Sequence, residues 1–480
     1  MPVGWAIMHR LGDAKAWRPY VLVPDGVGIR NFVLGDLLDR LSVSGHVRVL
    51  HRIHPDYMYL YSQGGKLDLE WTEIRGYREP PFASFLRYAL AYSHMYWADT
   101  LGMRFVREAP VLGSWRHRVL LGFARMCGRA CSTPARIRGI EDVHSRVVSS
   151  LTDAGHYREM FSRERPSVLF CSHQRPPIIL PLVLAARSLG IPTATFIFSW
   201  DNLTSKGRIA APFDFYMVWS DHMKQELLRY YPDVFPERVH VVGTPQFDCY
   251  ADRRLLRTRE EFCSQIGADP ARPLICYSGG DTGTCPEDQE HVRILMQLVR
   301  AGRLGKSPQV IVRPAPVDPG TRYEEVRREF PELIFARPAW LHADPGDWSR
   351  SIPMPDDVQF LANLTAHADL NVNVASTMTL DFIIHDRPVV NIAFDAGEKP
   401  VHGTPLWEFF YRFEHYRPVV SLGAARFARS VEEMARHIND YLVDPSLDRE
   451  ARRKLVELEV GVAIGGSSCR IAEVLRAISN

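Results

Sequence analysis

The feature that most constrains the fold is a strand and helix pattern in the C-terminal half of the chain. Leu370–Ala375 is a short run in which apolar residues alternate with asparagine, and Pro388–Asp395 is a second apolar run. Ser376 and Thr377 follow the first run, where a short helical segment containing Asp381 begins. This order predicts a parallel βαβ unit. The first amides of that helix, with two hydroxyls and a carboxylate, suit the diphosphate and ribose of a nucleotide.

The same alternation of buried strands and helices recurs along most of the chain. The further predicted strands cover 20–24, 46–51, 168–172, 192–198, 213–219, 239–243, 274–278 and 309–313. Helices are predicted between them, so the strands form parallel sheets covered by helices on both faces, and the fold class is α/β. The loop at 25–31 contains two glycines, which either approach a phosphate or only permit a sharp turn.

Two series of these units indicate two Rossmann-like domains whose parallel sheets face each other across a cleft. We place an N-terminal domain at 1–250, with a helical insertion at about 82–150, and a C-terminal domain at 251–460. Residues 461–480 are predicted to add a last helix that packs back on the N-terminal domain. A cleft between such domains is a common position for a ligand.

Overall charge gives no indication of nucleic-acid binding. The chain has 480 residues and a formal net charge of +2, and its 46% apolar and 24% charged residues are typical of a soluble globular protein. One segment, 104–146, departs from this balance, with nine arginines against three acidic residues. It is either a solvated helical face or a surface for an anionic membrane or an acidic acceptor.

The sequence contains no recognisable targeting or membrane-spanning signal. Val3–Met8 is too short for the core of a secretory signal, and no apolar run reaches the roughly 20 residues needed to span a bilayer. The eight cysteines lack the spacing of a zinc site. We therefore expect a cytoplasmic protein with reduced thiols and no metal or other cofactor, associated at most peripherally with the inner face of the membrane.

Three segments between residues 165 and 400 occur in an order and at a spacing that match a known pattern. Ser199–Gly207 reads Ser-Trp-Asp-Asn-Leu-Thr-Ser-Lys-Gly, Val242–Asp248 reads Val-Gly-Thr-Pro-Gln-Phe-Asp, and Ala368–Thr377 ends in Ser-Thr ahead of Asp381. Together they resemble motifs of the GT-B glycosyltransferase superfamily. Within it, they are most similar to bacterial surface-polysaccharide transferases and, more distantly, to the CDP-glycerol glycerophosphotransferases of teichoic acid synthesis.

The departures from that pattern bear on the reaction. Asp201-Asn202 stands where the glycerophosphotransferases have His-Gly, and Ala315 replaces the histidine of their Arg-Pro-His-Pro segment. Loss of the first histidine disfavours glycerol phosphate transfer, so the resemblance implies sugar transfer from a nucleotide-sugar donor to a saccharide or lipid-diphosphate-linked acceptor. The sequence contains no Asp-x-Asp motif, which GT-A enzymes use to hold a metal. We therefore expect metal-independent stabilisation of the leaving phosphate.

The positions of residues at strand exits and in glycine loops, together with the resemblance, indicate which residues form the site. The donor-binding candidates are Gly279, Gly280, Thr282, Arg313, Ser376, Thr377 and Asp381. The candidate catalytic residues are Asp201 as general base on the acceptor hydroxyl, Lys206 as a phosphate partner and His173 as the rival base. Arg175 and Asn202 are expected to contact the acceptor.

Each of these residues also has a purely structural interpretation. Hydroxyl and carboxylate residues cap helices and turns, glycines allow tight turns, and an arginine pairs with a nearby acid, as Arg313 would with Asp318. Glu398, His402 and His415, which follow the closing strand, are further candidates for contacts with the sugar.

Other functions stay open at this point. One shares the fold: a nucleotide-sugar 2-epimerase, although the glutamate-rich sequence expected of it is absent, or a polyol-phosphate transferase. The other is a non-catalytic nucleotide-sugar-binding scaffold protein, which the presence of Asp201 and Lys206 argues against. Release of an epimer without acceptor, or binding without turnover, distinguishes these functions from sugar transfer.

Overall fold

Parallel β-sheets organise the protein, as a computed structural model shows for residues 17–53, 55–62, 69–111, 113–342, 351–396 and 405–479. The described strands are β1 (Pro19–Val23), β2 (Val47–His51), β3 (Leu69–Glu73), β4 (Val168–Cys171), β5 (Thr193–Phe196), β6 (Phe215–Val218), β7 (Val239–Val241), β8 (Leu274–Ser278), β9 (Gln309–Arg313), β10 (Ile334–Phe335), β11 (Trp340–His342), β12 (Ser351–Pro353), β13 (Leu370–Asn373), β14 (Val389–Ile392) and β15 (Arg426–Ala428). The α/β fold class predicted from the sequence is confirmed.

The strand order divides the described strands into two large sheets and one small one. The first sheet has the order β3-β2-β1-β4-β5-β6-β7 and the second β10-β9-β8-β13-β14-β15, and the neighbours in both are parallel. β11 and β12 form a separate antiparallel pair. In the first sheet, successive strands are added in one direction from β1 to β3 and in the other direction from β4 onward. The second sheet has the same change of direction between β8 and β13. In open α/β sheets, ligands bind beyond the carboxyl ends of the strands at such switch points.

The central strands are buried because helices cover both faces of each sheet. Every residue of β1, Pro-Tyr-Val-Leu-Val, is buried, as is every residue of β4 and β8. Such continuous apolar runs are typical of parallel strands with two covered faces. β13 differs, since its asparagines Asn371 and Asn373 are also fully buried.

Helices fill most of the remaining described chain. They are α1 (Gly26–Gly28), α2 (Leu37–Ser42), α3 (Tyr59–Ser62), α4 (Pro81–Ala98), α5 (Leu101–Glu108), α6 (Trp115–Ala130), α7 (Pro134–Ser149), α8 (Thr152–Glu164), α9 (Leu180–Ser188), α10 (Asn202–Ser205), α11 (Asp221–Tyr230), α12 (Arg259–Ile266), α13 (Asp288–Arg300), α14 (Glu324–Glu329), α15 (Pro355–His367), α16 (Met378–Ile383), α17 (Leu406–Arg412), α18 (Arg417–Leu422), α19 (Val431–Val443), α20 (Arg449–Glu459) and α21 (Ser467–Ile478). Helices α4 to α7 lie in sequence between β3 and β4. Within the described ranges, no helix is both long enough and apolar enough to span a bilayer.

The last helix lies against the first half of the chain. Trp17 Nε1 donates to Ser479 Oγ at 3.1 Å, and the Arg476 guanidinium donates to Ser44 Oγ at 2.6 Å. Along the chain, the last strand of the first sheet ends at Val241, and the first strand of the second sheet begins at Leu274. The exact domain boundaries stay a prediction.

Candidate active site

A buried carboxylate and a histidine meet at the switch point of the first sheet. Asp25 follows β1 and His173 follows β4, and their side chains form a hydrogen-bonded pair through His173 Nδ1 and Asp25 Oδ2. Asp25 Oδ1 also accepts from the amide of Gly28 at 3.1 Å. Burial opposes ionisation of Asp25, but the neighbouring His173 and the amides of Val27 and Gly28 in α1 outweigh it and lower the pKa of this carboxyl. Asp25 was not predicted as a site residue.

Only one ring nitrogen of His173 is hydrogen-bonded to a described residue. Nε2 is buried and has no hydrogen-bond partner among the described residues. The ring lies 4.7 Å from that of Phe198, measured between centroids, on the exit from β5. A carboxylate on one nitrogen and a free second nitrogen is the arrangement that orients an imidazole as a general base.

Asp201, the predicted base, is held in its ionised form by its surroundings. It accepts from Ser205 Oγ at 2.8 Å and from Asn202 Nδ2 at 3.0 Å, and Lys206 Nζ lies 3.7 Å from Oδ2. Burial favours the neutral acid, yet Lys206, His415 and the hydroxyls together hold the pKa of Asp201 far below its usual range. A carboxylate with so low a pKa has a weak tendency to accept a proton.

Arg175 is a cation without an anionic partner in the described part of the structure. It follows β4 two residues after His173, is half-buried, and forms no ion pair or hydrogen bond with any described residue. Burial lowers its pKa, which nearby Asp201 and Tyr231 only partly oppose. The adjacent Gln174 donates from Nε2 to Asn202 Oδ1 at 2.8 Å, so the exit loops of β4 and β5 are joined. This corner of the first sheet therefore suits an anion.

On the second sheet, the predicted hydroxyl turn follows β13. Ala375 has a φ of +44°, a left-handed conformation that is uncommon outside glycine. Ser376 Oγ accepts from the amide of Met378 at 3.2 Å, and Thr377 Oγ1 accepts from Trp200 Nε1 at 3.3 Å. The turn therefore contacts the Ser199–Gly207 loop of the first half. Such a contact is expected where two sheets face each other across a cleft.

A buried polar network behind this turn was not predicted. The side chain of Asn373 donates to Thr379 Oγ1 at 3.1 Å, and its carbonyl oxygen accepts from the amide of Ser376 at 3.1 Å. Tyr416 lies 2.9 Å from Thr379 Oγ1 and donates to Asn391 Oδ1 at 2.6 Å. The asparagines that interrupt the apolar pattern of β13 and β14 are the sequence signal for it, because buried amides need partners.

Asp381, the predicted ribose ligand, is enclosed. It is only 2% exposed, and Tyr250 donates a hydrogen bond to its Oδ1. Burial raises the pKa of this carboxyl above its usual value, against the opposing effects of Tyr250 and Arg30. In this conformation the carboxylate joins the two halves of the chain, and its role toward ribose stays a prediction.

The second glycine loop uses most of its own amides. Gly279 donates to the Arg313 carbonyl at 2.9 Å, and Gly280 donates to Asp288 Oδ2 at 2.7 Å. A Cβ atom on Gly279 would lie 2.4 Å from the Tyr323 hydroxyl, so close packing explains this glycine. Thr282 is exposed. The two glycines form part of a tight turn. Because most amides of this loop already donate within the protein, few of them could bind a phosphate.

The first glycine loop is also explained by packing. A Cβ atom on Gly26 would lie 1.6 Å from the carbonyl oxygen of Ser351, on β12, and one on Gly28 would lie 2.4 Å from Ser172 Oγ. Gly26 therefore permits β12 to approach the exit of β1, and Gly28 permits the exits of β1 and β4 to meet.

Arg313 pairs with an acid other than the one proposed from the sequence. Its guanidinium donates to both oxygens of Asp357, at 3.0 and 2.9 Å, while Asp318 pairs with Arg322 at 2.6 Å. The expectation of an Arg313–Asp318 pair is wrong, because Asp357 at the start of α15 approaches the end of β9. A buried, carboxylate-paired Arg313 has less capacity for a phosphate.

Among the candidates after the closing strand, His415 lies beside the loop of the first half. Its ring centroid is 5.2 Å from that of Trp200, and its Nδ1 is buried without a hydrogen-bond partner in the described ranges. Burial lowers the pKa of His415 to about 4, so it is neutral at physiological pH. Glu398 and His402 lie outside the described residues.

One cluster of metal-capable side chains occurs in the described part of the chain. The ligand atoms of Cys285, Asp288 and His291, all buried, lie within 4.8 Å of one another. Asp288 already accepts from four donors: the hydroxyl groups of Tyr277 at 2.6 Å and Tyr323 at 3.1 Å, the amide of Gly280 at 2.7 Å and the guanidinium of Arg322 at 3.0 Å. Protein donors therefore already satisfy this carboxylate, and a cation there would face a guanidinium.

Comparison with known proteins identifies the fold. The sequence matches no protein-family model and no curated protein. A putative UDP-N-acetylglucosamine 2-epimerase from Listeria monocytogenes is 11% identical, with 96% of both chains covered and a TM-score of 0.53. A glycosyltransferase from Rickettsia africae is 10% identical, covering 97% of this chain and 99% of its own, with a TM-score of 0.51.

A third similar structure carries a ligand. The UDP-GlcNAc 2-epimerase from Neisseria meningitidis, solved with UDP-GlcNAc, is 8% identical, covers 96% of this chain and 100% of its own, and has a TM-score of 0.50. At these identities the likeness concerns the fold. The chain has the two-domain GT-B fold, as predicted from its sequence.

Proposed function

We propose that this chain is an enzyme that transfers a sugar from a nucleotide-sugar donor to a hydroxyl group of a saccharide or lipid-diphosphate-linked acceptor in bacterial surface polysaccharide synthesis. The observation that carries the proposal is the exit loop of β4. It combines His173, which has a free ring nitrogen, with Arg175, which has no anionic partner among the described residues. A proton acceptor beside an anion site is what transfer from a phosphate leaving group requires.

The environments of Asp25 and Asp201 indicate that His173 is the general base. Asp25 orients His173 through Nδ1, so Nε2 faces away from that bond and accepts the proton of the acceptor hydroxyl. The acceptor oxygen then bonds to the anomeric carbon, and the bond between that carbon and the diphosphate oxygen breaks. Asp201 keeps its negative charge and positions Lys206 and Ser205. We assign the role of general base to His173 and not to Asp201, because the low pKa of Asp201 makes it a poor proton acceptor.

The nucleotide diphosphate leaves as an anion, and cationic or hydroxyl groups stabilise it. Arg175 and Lys206 supply positive charge from the first half, and Ser376 and Thr377 supply hydroxyl groups from the second. The hydrogen bond from Trp200 to Thr377 supports this view because it brings the two loops together at one place. No metal is required by these roles, in agreement with the absence of Asp-x-Asp from the sequence.

A direct test combines binding and turnover. Thermal unfolding of the whole chain is measured with UDP, UDP-GlcNAc and a panel of other nucleotides and nucleotide sugars, since a ligand of the folded state raises the midpoint. The donors that raise it are then incubated with saccharide and lipid-diphosphate acceptors, and release of free nucleoside diphosphate is followed. Acceptor-dependent release supports transfer. Binding without release under any acceptor supports a scaffold protein instead.

The second candidate is epimerisation of a nucleotide sugar. It is favoured by the UDP-GlcNAc 2-epimerases among the structures of the same fold, two of which appear above. The discriminating experiment omits the acceptor and follows the donor by proton NMR. Formation of the 2-epimer with the nucleotide still attached establishes epimerisation, whereas an unchanged donor that reacts only when acceptor is added establishes transfer.

A further inference from the structure

Helix α6 presents an apolar stripe to solvent. Trp115, Val119, Phe123 and Met126 are 69%, 48%, 58% and 61% exposed, respectively. Their spacing of four, four and three residues places them on one face of the helix. A continuous exposed row of two aromatic and two aliphatic side chains is unusual on a water-facing helix.

The opposite face of α6 is fixed to the protein. Leu121, Ala124 and Gly128 are buried there. A Cβ atom on Gly128 would lie 2.4 Å from Cβ of Tyr92, on α4, so the two helices touch backbone to backbone. The apolar stripe is therefore a second apolar face on a helix whose core-facing side is already packed.

Arginines border the stripe on both sides. At 100° per residue, Arg116 lies on one flank of the stripe, and Arg118 and Arg129 lie on the other. All three are exposed, and none forms an ion pair with a residue that the structure describes. No aspartate or glutamate occurs between Glu108 and Glu141. The side of α6 that faces water is therefore apolar at its centre and positively charged at its margins.

We propose that this face, Trp115 to Met126 with its flanking arginines, docks on an anionic lipid bilayer. A helix lying in the plane of the membrane surface inserts its apolar side chains among the acyl chains and places its cations at the lipid phosphates. Trp115, with Arg116 over its ring at 5.6 Å, is suited to the boundary between these layers. The proposal does not depend on the proposed reaction.

Charge distinguishes a bilayer from a second copy of the chain as the occupant. In a symmetric dimer through this face, the apolar stripes would meet, and the flanking arginines of both copies would come close together. No acidic residue on α6 is present to compensate them. An anionic surface satisfies the apolar and the charged parts of the face together.

The test is sedimentation of the full chain with vesicles of phosphatidylcholine alone and of phosphatidylcholine with one third phosphatidylglycerol. The wild type is expected to bind the second vesicles, and less so in high salt. The double variant Trp115→Ser/Phe123→Ser should reduce the partition coefficient by at least about tenfold. Arg118→Gln/Arg129→Gln should reduce it several-fold on anionic vesicles.

The matched control is Phe235→Ser/Val443→Ser, which removes two apolar side chains that are 66% and 77% exposed elsewhere. It should partition as the wild type does. Thermal unfolding of all variants is measured to verify that they are folded. Equal partition of the stripe variant and the control overturns the proposal. So does a lipid-free dimer, seen by analytical ultracentrifugation, that the stripe variant abolishes.

Discussion

The indole of Trp200 donates a hydrogen bond to Thr377 Oγ1, 3.3 Å away, and so connects the exit of β5 in the first sheet with the exit of β13 in the second. Both residues lie beyond the carboxyl ends of parallel strands. The two sheets therefore direct their ligand-binding edges at each other. This relationship brings the exit of β5, which is followed by Asp201, to the hydroxyl turn at Ser376 and Thr377.

Asp25→Asn is expected to lower turnover by about 10²- to 10⁴-fold if His173 is the general base, because an amide cannot stabilise the imidazolium. Nucleotide affinity measured by calorimetry should stay within about twofold, since Asp25 is not expected to touch the donor. The pH profile of kcat should shift as well, which a merely structural role would not cause. Asp36→Asn, which alters a partly exposed carboxylate in the same half, serves as the control. Unchanged turnover in Asp25→Asn would remove His173 as the base.

Arg175→Gln should weaken binding of UDP or a nucleotide sugar by about tenfold or more, because a charge-assisted hydrogen bond to phosphate is lost. It should also raise the thermal midpoint of the ligand-free protein, since a half-buried cation without an ion-pair partner among the described residues is costly. Arg187→Gln is the control, because Arg187 pairs with Asp214 at 2.7 Å on the surface. Affinity that is equal in the two variants would place the phosphate elsewhere.

The sequence predicted where several candidate residues lie, because their positions after strands follow from a local pattern. His173, Asp201 and Ser376 each come just after a short apolar strand, and the carboxyl ends of parallel strands are where ligands bind. The α/β class was predictable for the same reason, because strands and helices alternate along the chain, whereas GT-B was inferred from the resemblance of three motifs between residues 165 and 400. Recognising the α/β repeat requires no knowledge of contacts between residues that are distant in sequence.

Partners distant in sequence were not predictable from local patterns. The Asp25–His173 pair depends on β4 being the neighbour of β1, although β2 and β3 come between them in the chain. Applying the switch-point rule to both strand exits would have suggested it. Tyr250 reaches Asp381 across 131 positions, and no local signal indicates that contact. These pairings are set by tertiary packing, which residue spacing does not encode.

Asp381→Asn tests the raised pKa of this carboxyl through the pH dependence of stability. The folded pKa of Asp381 lies above its unfolded value of about 3.9, so its contribution to stability is full below that pH and is lost as pH rises through the folded pKa. The asparagine has no such loss. Its unfolding midpoint relative to the wild type should therefore improve from acid to pH 8.

The same variant is then compared for nucleotide affinity. If Asp381 only joins the two halves, affinity for UDP or another bound nucleotide stays near that of the wild type. A loss of about tenfold or more would instead support the ribose contact predicted from the sequence. Tyr250→Phe, which removes the hydroxyl partner and leaves the carboxylate, should destabilise the fold by about 1–3 kcal/mol.

Gly26→Ala should destabilise the fold by about 1–3 kcal/mol, because its Cβ would lie 1.6 Å from the Ser351 carbonyl and β12 would have to move. Gly139→Ala, on α7, is the matched control: no atom lies within 4 Å of its added Cβ, and alanine should stabilise that helix by about 0.5–1 kcal/mol. Chemical denaturation measures both. Opposite signs for the two substitutions would establish close packing at the exit of β1. Equal stability of Gly26→Ala and the wild type would instead mean that β12 does not press on that loop, and the glycine would again be open to a role at a phosphate.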